Sequence, residues 1–212
     1  MRHADQPIRI LAVDDHAILR EGVAALIGSQ GDLQLVAEAA TGAEAIQLHQ
    51  IHDPHVTLVD LALPDMSGVD VIQAIRSRAP RARFVVLTTF RGDVQALRAL
   101  KAGATGYLLK SMLRKDLLET IRTVHAGGKY IPPEISSDIA AYAAGETLSD
   151  REIEVLTWVA EGSSNKVVAI RLGISEDTVK NHMRAILAKL GASDRTHAVT
   201  IAIRRGFLDL GA

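Results

Sequence analysis

Two hydrophobic patterns alternate along the first 127 residues of the chain. Short runs of β-branched and leucine residues are separated by stretches in which apolar side chains recur every three or four positions. The first pattern predicts buried strands of a parallel sheet, and the second predicts amphipathic helices that cover it. The predicted strands are Ile8–Val13, Leu33–Ala39, Val56–Val59, Phe84–Leu87 and Gly106–Leu109. Five such strand and helix repeats predict a doubly wound α/β domain.

Polar residues stand where three of these helices are predicted to begin. Asp15, Thr41 and Ser67 each precede a helical pattern, and their side chains can accept a hydrogen bond from a free backbone N–H of the first turn. We therefore expect these three residues to be helix N-caps.

The pattern changes after Gly127. Residues 128–147 contain the Pro132-Pro133 pair and several glycines, which predicts a linker with a short helix near Ser137–Ala144. From residue 148 to 212, four helical segments separated by short Gly- and Ser-containing turns predict a small all-α domain. The expected organisation is therefore 1–127, 128–147 and 148–212.

Composition excludes several classes of protein. The 212 residues include no cysteine, which rules out disulfide scaffolds and thiol catalysis, and only 3% are aromatic, which disfavours a base-stacking RNA platform. The net charge of −1 means that any nucleic-acid site must be local. Because no apolar run approaches the ~18 residues of a membrane span, a cytoplasmic protein is expected.

Five residues whose side chains suit phosphoryl transfer follow or end the predicted strands at their carboxyl ends: Asp14, Asp15, Asp60, Thr88 and Lys110. Sites in open α/β sheets are built at these ends, so the five side chains are expected to converge. Three carboxylates need a cation, and hard oxygen ligands suit Mg²⁺. A carboxylate nucleophile beside Mg²⁺, a lysine and a hydroxyl donor is what phosphoryl transfer onto an aspartate requires.

Four segments resemble the receiver domain of bacterial response regulators over about residues 7–127: IRILAVDDHAILREG, LVDLALPDMSG, VVLTTF and GATGYLLK. The resemblance implies that Asp60 is the phosphoacceptor and that Asp14 and Asp15 organise Mg²⁺, with the backbone carbonyl of Ala62 as a further ligand. It also implies that Thr88 and Lys110 contact the phosphoryl group. Tyr107 would be the aromatic residue of the conformational switch.

The all-α domain has the proportions of a helix-turn-helix. Asn165–Leu172, a turn at Gly173-Ile174-Ser175 and Glu176–Leu190 follow one another, and Ser175 can cap the second helix. On a helical wheel the apolar side chains of that helix form one stripe, and Lys180, Asn181 and Arg184 lie on the exposed face. These three side chains can hydrogen-bond base edges or phosphates.

Residues 148–208 resemble the DNA-binding domain of LuxR-type regulators, on the strength of the LSDRE start, Asn165-Lys166, the block from Ile174 to His182, and Lys189-Leu190. The resemblance implies base contacts by Lys180, Asn181 and Arg184, and phosphate contacts by Lys166, Thr178 and His182. The last helix, Thr196 to Arg205, either pairs two subunits, as in this family, or packs on Trp158.

The two resemblances together are typical of the NarL/FixJ class of response regulators. They imply a transcription regulator that a histidine kinase phosphorylates on Asp60, that binds double-stranded DNA, and that forms a homodimer when phosphorylated. No substrate turnover is expected. The acyl phosphate is expected to be long-lived, because Ala62 cannot orient a hydrolytic water and Phe90 adds shielding bulk.

Two other classes of function are weighed against this one. An aspartyl-phosphate phosphatase would need a second carboxylate two residues after Asp60, where the sequence has Ala62. A phosphorylation-controlled interaction module would use its helical domain to bind protein instead of DNA.

Overall fold

The computed structural model describes residues 6–89, 93–144 and 147–208. Contacts within the chain divide it into two compact units, one that contains the whole sheet and one that contains the residues from Glu134 onward. Neither unit has, among the described residues, a helix long and apolar enough to cross a membrane. Phe90 lies outside the described residues.

The first unit is built on a parallel sheet with the strand order β2-β1-β3-β4-β5. The strands are β1 (Ile8–Val13), β2 (Leu33–Ala39), β3 (Val56–Asp60), β4 (Phe84–Thr88) and β5 (Gly106–Leu109). All residues of β3, β4 and β5 are buried, which explains why these strands appear in the sequence as continuous apolar runs. The predicted doubly wound α/β fold is confirmed. Asp60 and Thr88 are the last residues of their strands, one position beyond the predicted ends.

Helices cover both faces of the sheet. They are α1 (Ala17–Gly28), α2 (Gly42–His52), α3 (Gly68–Arg78), α4 (Asp93–Ala102) and α5 (Leu113–His125), with a single 3₁₀ turn at Lys110–Met112 before α5. Helices α1 and α5 contact each other, as do α2 and α3. Apolar residues of β1, β3, β4 and β5 form one core with the inward faces of α1 and α5, to which Val23, Ile27, Leu117 and Ile121 contribute.

Two of the three predicted N-caps are confirmed. The side chain of Thr41 accepts a hydrogen bond from the backbone N–H of Glu44, and Ser67 does the same for Asp70. The prediction for Asp15 is wrong, because His16 occupies the N-cap position of α1 and provides no side-chain cap. Asp15 is thereby free to take part in the site described below.

The predicted linker contains more regular structure than its composition suggests. Tyr130 forms a parallel bridge with Gly106, and the Tyr107 N–H donates to the Tyr130 carbonyl at 2.8 Å, so the chain after α5 runs along the edge strand. Helix α6 spans Pro133–Ala144 instead of beginning near Ser137. Proline is well tolerated in the first helical turn, where its missing N–H has no partner to lose.

The second unit contains the four predicted helices, α7 (Asp150–Ala160), α8 (Asn165–Leu172), α9 (Glu176–Leu190) and α10 (Arg195–Arg205). Their apolar faces share one core that includes Leu156, Val168, Val179, Ile186 and Ala202. Trp158 packs against this core, and the Arg171 guanidinium lies 4.0 Å from the centre of its ring. Val199 and Ile203 of α10 are partly buried in the same core, so α10 packs within its own domain.

Glu152 links the start of α7 to the end of α9. It is 5% exposed, and its Oε2 accepts from the Ser149 N–H at 2.7 Å and lies 2.8 Å from Lys189 Nζ. The Ser149 side chain accepts in return from the Glu152 N–H, which completes a capping box. Burial acts to raise the pKa of Glu152, but the hydrogen bonds from Lys189 and Ser149 prevail and lower it.

We predict that Glu152→Gln lowers the free energy of unfolding of the helical domain by about 1–3 kcal/mol at neutral pH, because Lys189 loses a charged partner. A carboxyl whose pKa is lowered by folding stabilises the fold above its unfolded pKa of about 4.3 and less below it. The difference between the variant and the parent should therefore shrink as the pH falls below that value.

Trp158 is the single tryptophan of the chain, so its fluorescence during denaturant unfolding reports on this domain. Glu154→Gln is the matched control, because Glu154 is exposed and, among the described residues, pairs only with Arg151 on its own helix. This control should lower the free energy of unfolding by no more than a few tenths of a kcal/mol. Equal effects of the two variants, or a difference that does not change with pH, would contradict the role assigned to Glu152.

Candidate functional site

The ends of β1 and β3 bring two aspartates together inside the protein. These strands are neighbours at the point where the strand order reverses, which is where doubly wound sheets bind their ligands. Asp14 follows β1 and Asp60 ends β3, and the two residues are 2% and 3% exposed. Carboxylates this deeply buried repel each other unless a cation joins them.

Lys110 supplies that cation. Its Nζ lies 2.7 Å from Asp60 Oδ2 and 2.8 Å from Asp14 Oδ2. Because β5 lies two strand spacings from β3, roughly 10 Å, only a long side chain from the end of β5 could reach Asp60. Burial acts to lower the pKa of Lys110, but the two carboxylates outweigh it and raise that pKa. Burial also raises the pKa of Asp60, although the hydrogen bond from Lys110 opposes the shift.

Asp15 and His16 complete the cluster on its exposed side. His16 Nδ1 lies 2.7 Å from Asp15 Oδ1 and 3.1 Å from Asp14 Oδ1. Ligand atoms of Asp14, Asp15, His16 and Asp60 all lie within 4.8 Å of one another. Three carboxylates and no thiolate form a donor set that suits a hard divalent cation, so the predicted carboxylate ligands do converge and fit Mg²⁺.

The loop between β3 and α3 packs tightly against Asp60. Ala62 and Ser67 form an antiparallel bridge, and the Gly68 N–H donates to the Leu61 carbonyl at 2.9 Å. A Cβ on Gly68 would lie 2.1 Å from the Asp60 carbonyl oxygen, so only glycine fits this approach. The loop therefore fixes the backbone on both sides of Asp60. Ala62 is exposed beside it.

Asp65 attaches the same loop to α2. Its carboxylate accepts from the Gly42 N–H at 2.8 Å and the Ala43 N–H at 2.9 Å. These backbone donors, which lie at the positive end of the helix dipole, lower the pKa of Asp65. The loop is thus held at both ends, by Gly68 against the sheet and by Asp65 against α2.

Thr88 lies on β4, the strand between Asp60 and Lys110, and Tyr107 lies on β5, the strand that Lys110 follows. Thr88 ends β4 and is buried beside Asp60, since Asp60 pairs with Leu87 in the register of the sheet. Tyr107, on β5, is completely buried, and burial together with the Asp60 charge raises its pKa. We expect an inward turn of Tyr107 as part of the switch, and this structure already holds the ring inside.

The exposed face of α9 carries the side chains predicted to contact DNA. Ser175 caps the helix by accepting from the Thr178 N–H, as predicted. Lys180, Asn181 and Arg184 are exposed, and the Arg184 Nη1 donates to Asn181 Oδ1 at 3.0 Å. Thr178 and His182 are half-buried, and Lys166 is exposed near the start of α8.

The Lys180 side chain pairs with acidic residues of its own helix. Its Nζ lies 3.1 Å from Asp177 Oδ1 and 3.6 Å from Glu176 Oε1, and these acids raise its pKa. A DNA phosphate or base edge would have to replace these contacts. Because the pairs are fully exposed, water screens them and the exchange costs little.

Comparisons with known proteins assign both domains to families. Residues 10–122 match the response regulator receiver domain, and residues 146–202 match the bacterial regulatory proteins of the luxR family. The chain belongs to the response regulators. It is a response regulator with a LuxR-type DNA-binding domain, as the sequence motifs indicate.

Relatives of similar length support the assignment. The chain is 35% identical to the transcriptional regulatory protein LnrK of Bacillus subtilis, over 94% of this chain and 98% of that protein. It is 34% identical to the response regulator protein VraR of Staphylococcus aureus, over 95% and 99%. Among solved structures, a LuxR-family response regulator from Aurantimonas sp. matches with a TM-score of 0.62 and 36% identity, over 66% of this chain and 99% of that one.

Sequence reasoning about this response regulator did not single out His16, Asp65 and Gly68. His16 directly follows the Asp14-Asp15 pair, which could have drawn attention to it as a neighbour of the cluster. Gly68 and Asp65 act through backbone contacts with other elements, and no periodicity in the sequence reports such contacts.

We predict that Gly68→Ala lowers the free energy of unfolding of the sheet domain by about 1–3 kcal/mol, because the added methyl group forces the loop away from Asp60. Thermal unfolding followed by circular dichroism measures the loss. Gly22→Ala is the control: a Cβ there meets nothing within 4 Å, and alanine in a helix should stabilise by about 0.5–1 kcal/mol. If Gly68→Ala melts at or above the temperature of Gly22→Ala, the close packing does not constrain the loop.

Proposed function

We propose that this response regulator accepts a phosphoryl group on Asp60 from the phosphohistidine of a histidine kinase and that the modification controls binding of residues 148–212 to DNA. The observation that carries the proposal is the buried Asp60 carboxylate in contact with Lys110 and beside Asp14 and Asp15. We place the domain boundaries at 127 and 148, and we place the protein in the cytoplasm, where a kinase phosphohistidine and DNA are both accessible.

In the proposed reaction an Asp60 carboxylate oxygen attacks phosphorus and the bond between phosphorus and the kinase imidazole nitrogen breaks. The electron pair stays on that nitrogen, which takes a proton from solvent. Asp14, Asp15, Asp60 and the Ala62 carbonyl would hold Mg²⁺, which when bound neutralises charge on the phosphoryl oxygens. Lys110 moves its hydrogen bond from the Asp60 carboxylate to a phosphoryl oxygen, and the Thr88 hydroxyl binds another.

The surroundings of Asp60 suit transfer of one phosphoryl group to Asp60 without a catalytic cycle that releases phosphate. A phosphatase of this chemistry needs a carboxylic acid near the leaving group, and the residue two positions after Asp60 is the apolar Ala62. Because the Ala62 side chain cannot orient water, in-line attack on the acyl phosphate from this side is slow. The domain thus serves as a receiver of the phosphoryl group with a long-lived modified state.

Modification of Asp60 changes charge at a position that Tyr107 and Thr88 sense. A phosphoryl group adds negative charge where Lys110 now joins two carboxylates. Thr88 ends β4, the strand beside Asp60, and Tyr107 lies on β5, the strand that Lys110 follows. We propose that this change shifts the population toward a form that binds DNA as a homodimer. Lys180, Asn181 and Arg184 would contact bases, and Lys166, Thr178 and His182 would lie against phosphates.

Substitution of Asp60 tests its role as the phosphoacceptor. Asp60→Asn should abolish phosphoryl incorporation from acetyl phosphate, because a neutral amide is not a competent nucleophile. Incorporation is measured as the mass increase of the intact protein, with and without a chelator. Asp32→Asn is the control, since Asp32 is an exposed acid of the same domain paired with Arg122. Covalent phosphate on Asp60→Asn, or full incorporation in chelator, would exclude the assigned site.

Variants of the helix-turn-helix distinguish base contacts from phosphate contacts. A preferred duplex is first selected from random sequences with the phosphorylated parent. Arg184→Ala or Lys180→Ala should reduce the preference for that duplex over unrelated DNA by roughly fivefold to a hundredfold, whereas Lys166→Ala should weaken all duplexes alike and reduce the salt dependence.

Lys115→Ala is the charge-matched control for these variants, because Lys115 is an exposed residue of the receiver domain. Equal losses for Lys115 and Arg184 would show that only net charge matters. Unchanged DNA binding in both α9 variants would favour the alternative in which the helical domain binds protein.

A further inference from the structure

Two neighbouring cavities lie at the amino ends of the strands, opposite the acidic site. Their volumes are about 420 and 380 Å³, within the usual range for small-molecule sites of roughly 300–1,000 Å³. They share His49 and Asp53 at the end of α2 and Ala79 after α3. The segments that line them directly precede β3 and β4, so the sheet connects these cavities to Asp60 through its own strands.

The lining of the cavities carries excess positive charge. It contains Arg78, Arg81 and Arg83 against the single acid Asp53. In the part of the chain that the structure describes, none of the three arginines has a carboxylate within ion-pair distance. The carboxyl ends of α2 and α3 contribute about half a negative charge each, which leaves the balance positive.

Arg83, one of these positive side chains, also acts on the pKa of His125. The rings of His55 and His125 are 5.2 Å apart. Burial lowers the pKa of His125, and the electrostatic effects of His55 and Arg83 lower it further. Arg83 is only partly exposed, so its charge is less screened by water than that of a surface arginine. A bound anion would relieve this repulsion.

His49 provides a second, independent sign of a binding site. It lines both cavities, is 5% exposed and stacks on Phe84 with ring centres 6.4 Å apart. Its Nε2 is buried and has no hydrogen-bond partner among the described residues. Burial lowers the pKa of His49, although Asp53 opposes the shift. Buried polar atoms in proteins are rarely left unpaired, and a neutral imidazole can donate from Nε2 to an acceptor.

Asp53 holds the geometry between the two cavities. It ends α2 with φ of 40°, the only non-glycine residue in the described chain with a positive φ. Asp tolerates this conformation better than most residues, but it still stores strain, and strained residues cluster at functional sites. The sharp turn at Asp53 sends the chain through Pro54 and His55 into β3.

We propose that these cavities bind a small organic anion, whose carboxylate or phosphate contacts Arg81, Arg83 and His49 and whose apolar part packs against Ile46 and Ile75. Those two isoleucines line the second cavity and provide the apolar surface that a free inorganic ion would not use. The proposal does not depend on phosphorylation of Asp60, because the two sites lie at opposite ends of the strands.

The test is an NMR titration of the amide resonances of the full chain at matched ionic strength. Benzoate and phenyl phosphate are the anionic probes, and benzamide is the neutral molecule of the same size. We expect saturable shifts confined to residues 46–55 and 75–84 with at least one anion, and at least tenfold weaker binding of benzamide. Which anion binds more tightly distinguishes a carboxylate site from a phosphate site.

Arg81→Gln and Arg83→Gln should each weaken binding of that anion at least fivefold. Arg81 is exposed, so its variant tests the proposal even if the half-buried Arg83 proves necessary for folding. Arg98→Gln is the matched control on α4, and Asp60→Asn should bind the anion as the parent does. The proposal is overturned if neither anion gives saturable shifts, if benzamide binds equally well, or if Arg81→Gln binds like Arg98→Gln.

Discussion

The contact of Lys110 with two buried carboxylates is the constraint on which the receiver domain depends. Asp14, Asp60 and Lys110 come from the ends of three different strands, and the strand order places both carboxylates within 2.8 Å of Lys110 Nζ. Removing one member of a buried ion pair commonly costs about 3–5 kcal/mol, because the remaining charge is left uncompensated. Binding of a ligand to the cluster therefore cannot leave the contacts of Lys110 unchanged. A divalent cation or a phosphoryl group must change how Lys110 is shared between the two carboxylates. Lys110 reaches Asp60 across β4, which ends at Thr88, and it extends from β5, which carries Tyr107.

Most of the fold could be predicted because its determinants are local. The buried strands β3, β4 and β5 are continuous apolar runs, and the caps Thr41, Ser67 and Ser175 act on N–H groups three residues away. The convergence of Asp14, Asp15, Asp60 and Lys110 was predictable for a different reason, since parallel strands necessarily align their carboxyl ends. Helices α8 and α9 have the predicted bounds because glycine in the left-handed conformation ends each of them, at Gly173 and Gly191.

Features that depend on contacts between distant segments could not be predicted in this way. Asp15 has the chemistry of an N-cap, but the chain begins α1 one residue later and leaves the carboxylate to the acidic cluster. The pairing of Glu152 on α7 with Lys189 on α9 joins residues 37 positions apart, and no pattern along either helix indicates it. The fit of Gly68 against the Asp60 carbonyl and the burial of His49 between two cavities are likewise properties of packing.

The proposed function requires that the state of Asp60 controls occupancy of DNA. The most direct measurement is genome-wide DNA binding of the parent and of Asp60→Asn at equal protein levels in the same bacterial strain, under conditions in which the parent is phosphorylated. The account predicts that the parent occupies a discrete set of sites and that Asp60→Asn loses most of that occupancy. Occupancy of the same sites to the same extent by both proteins would contradict it.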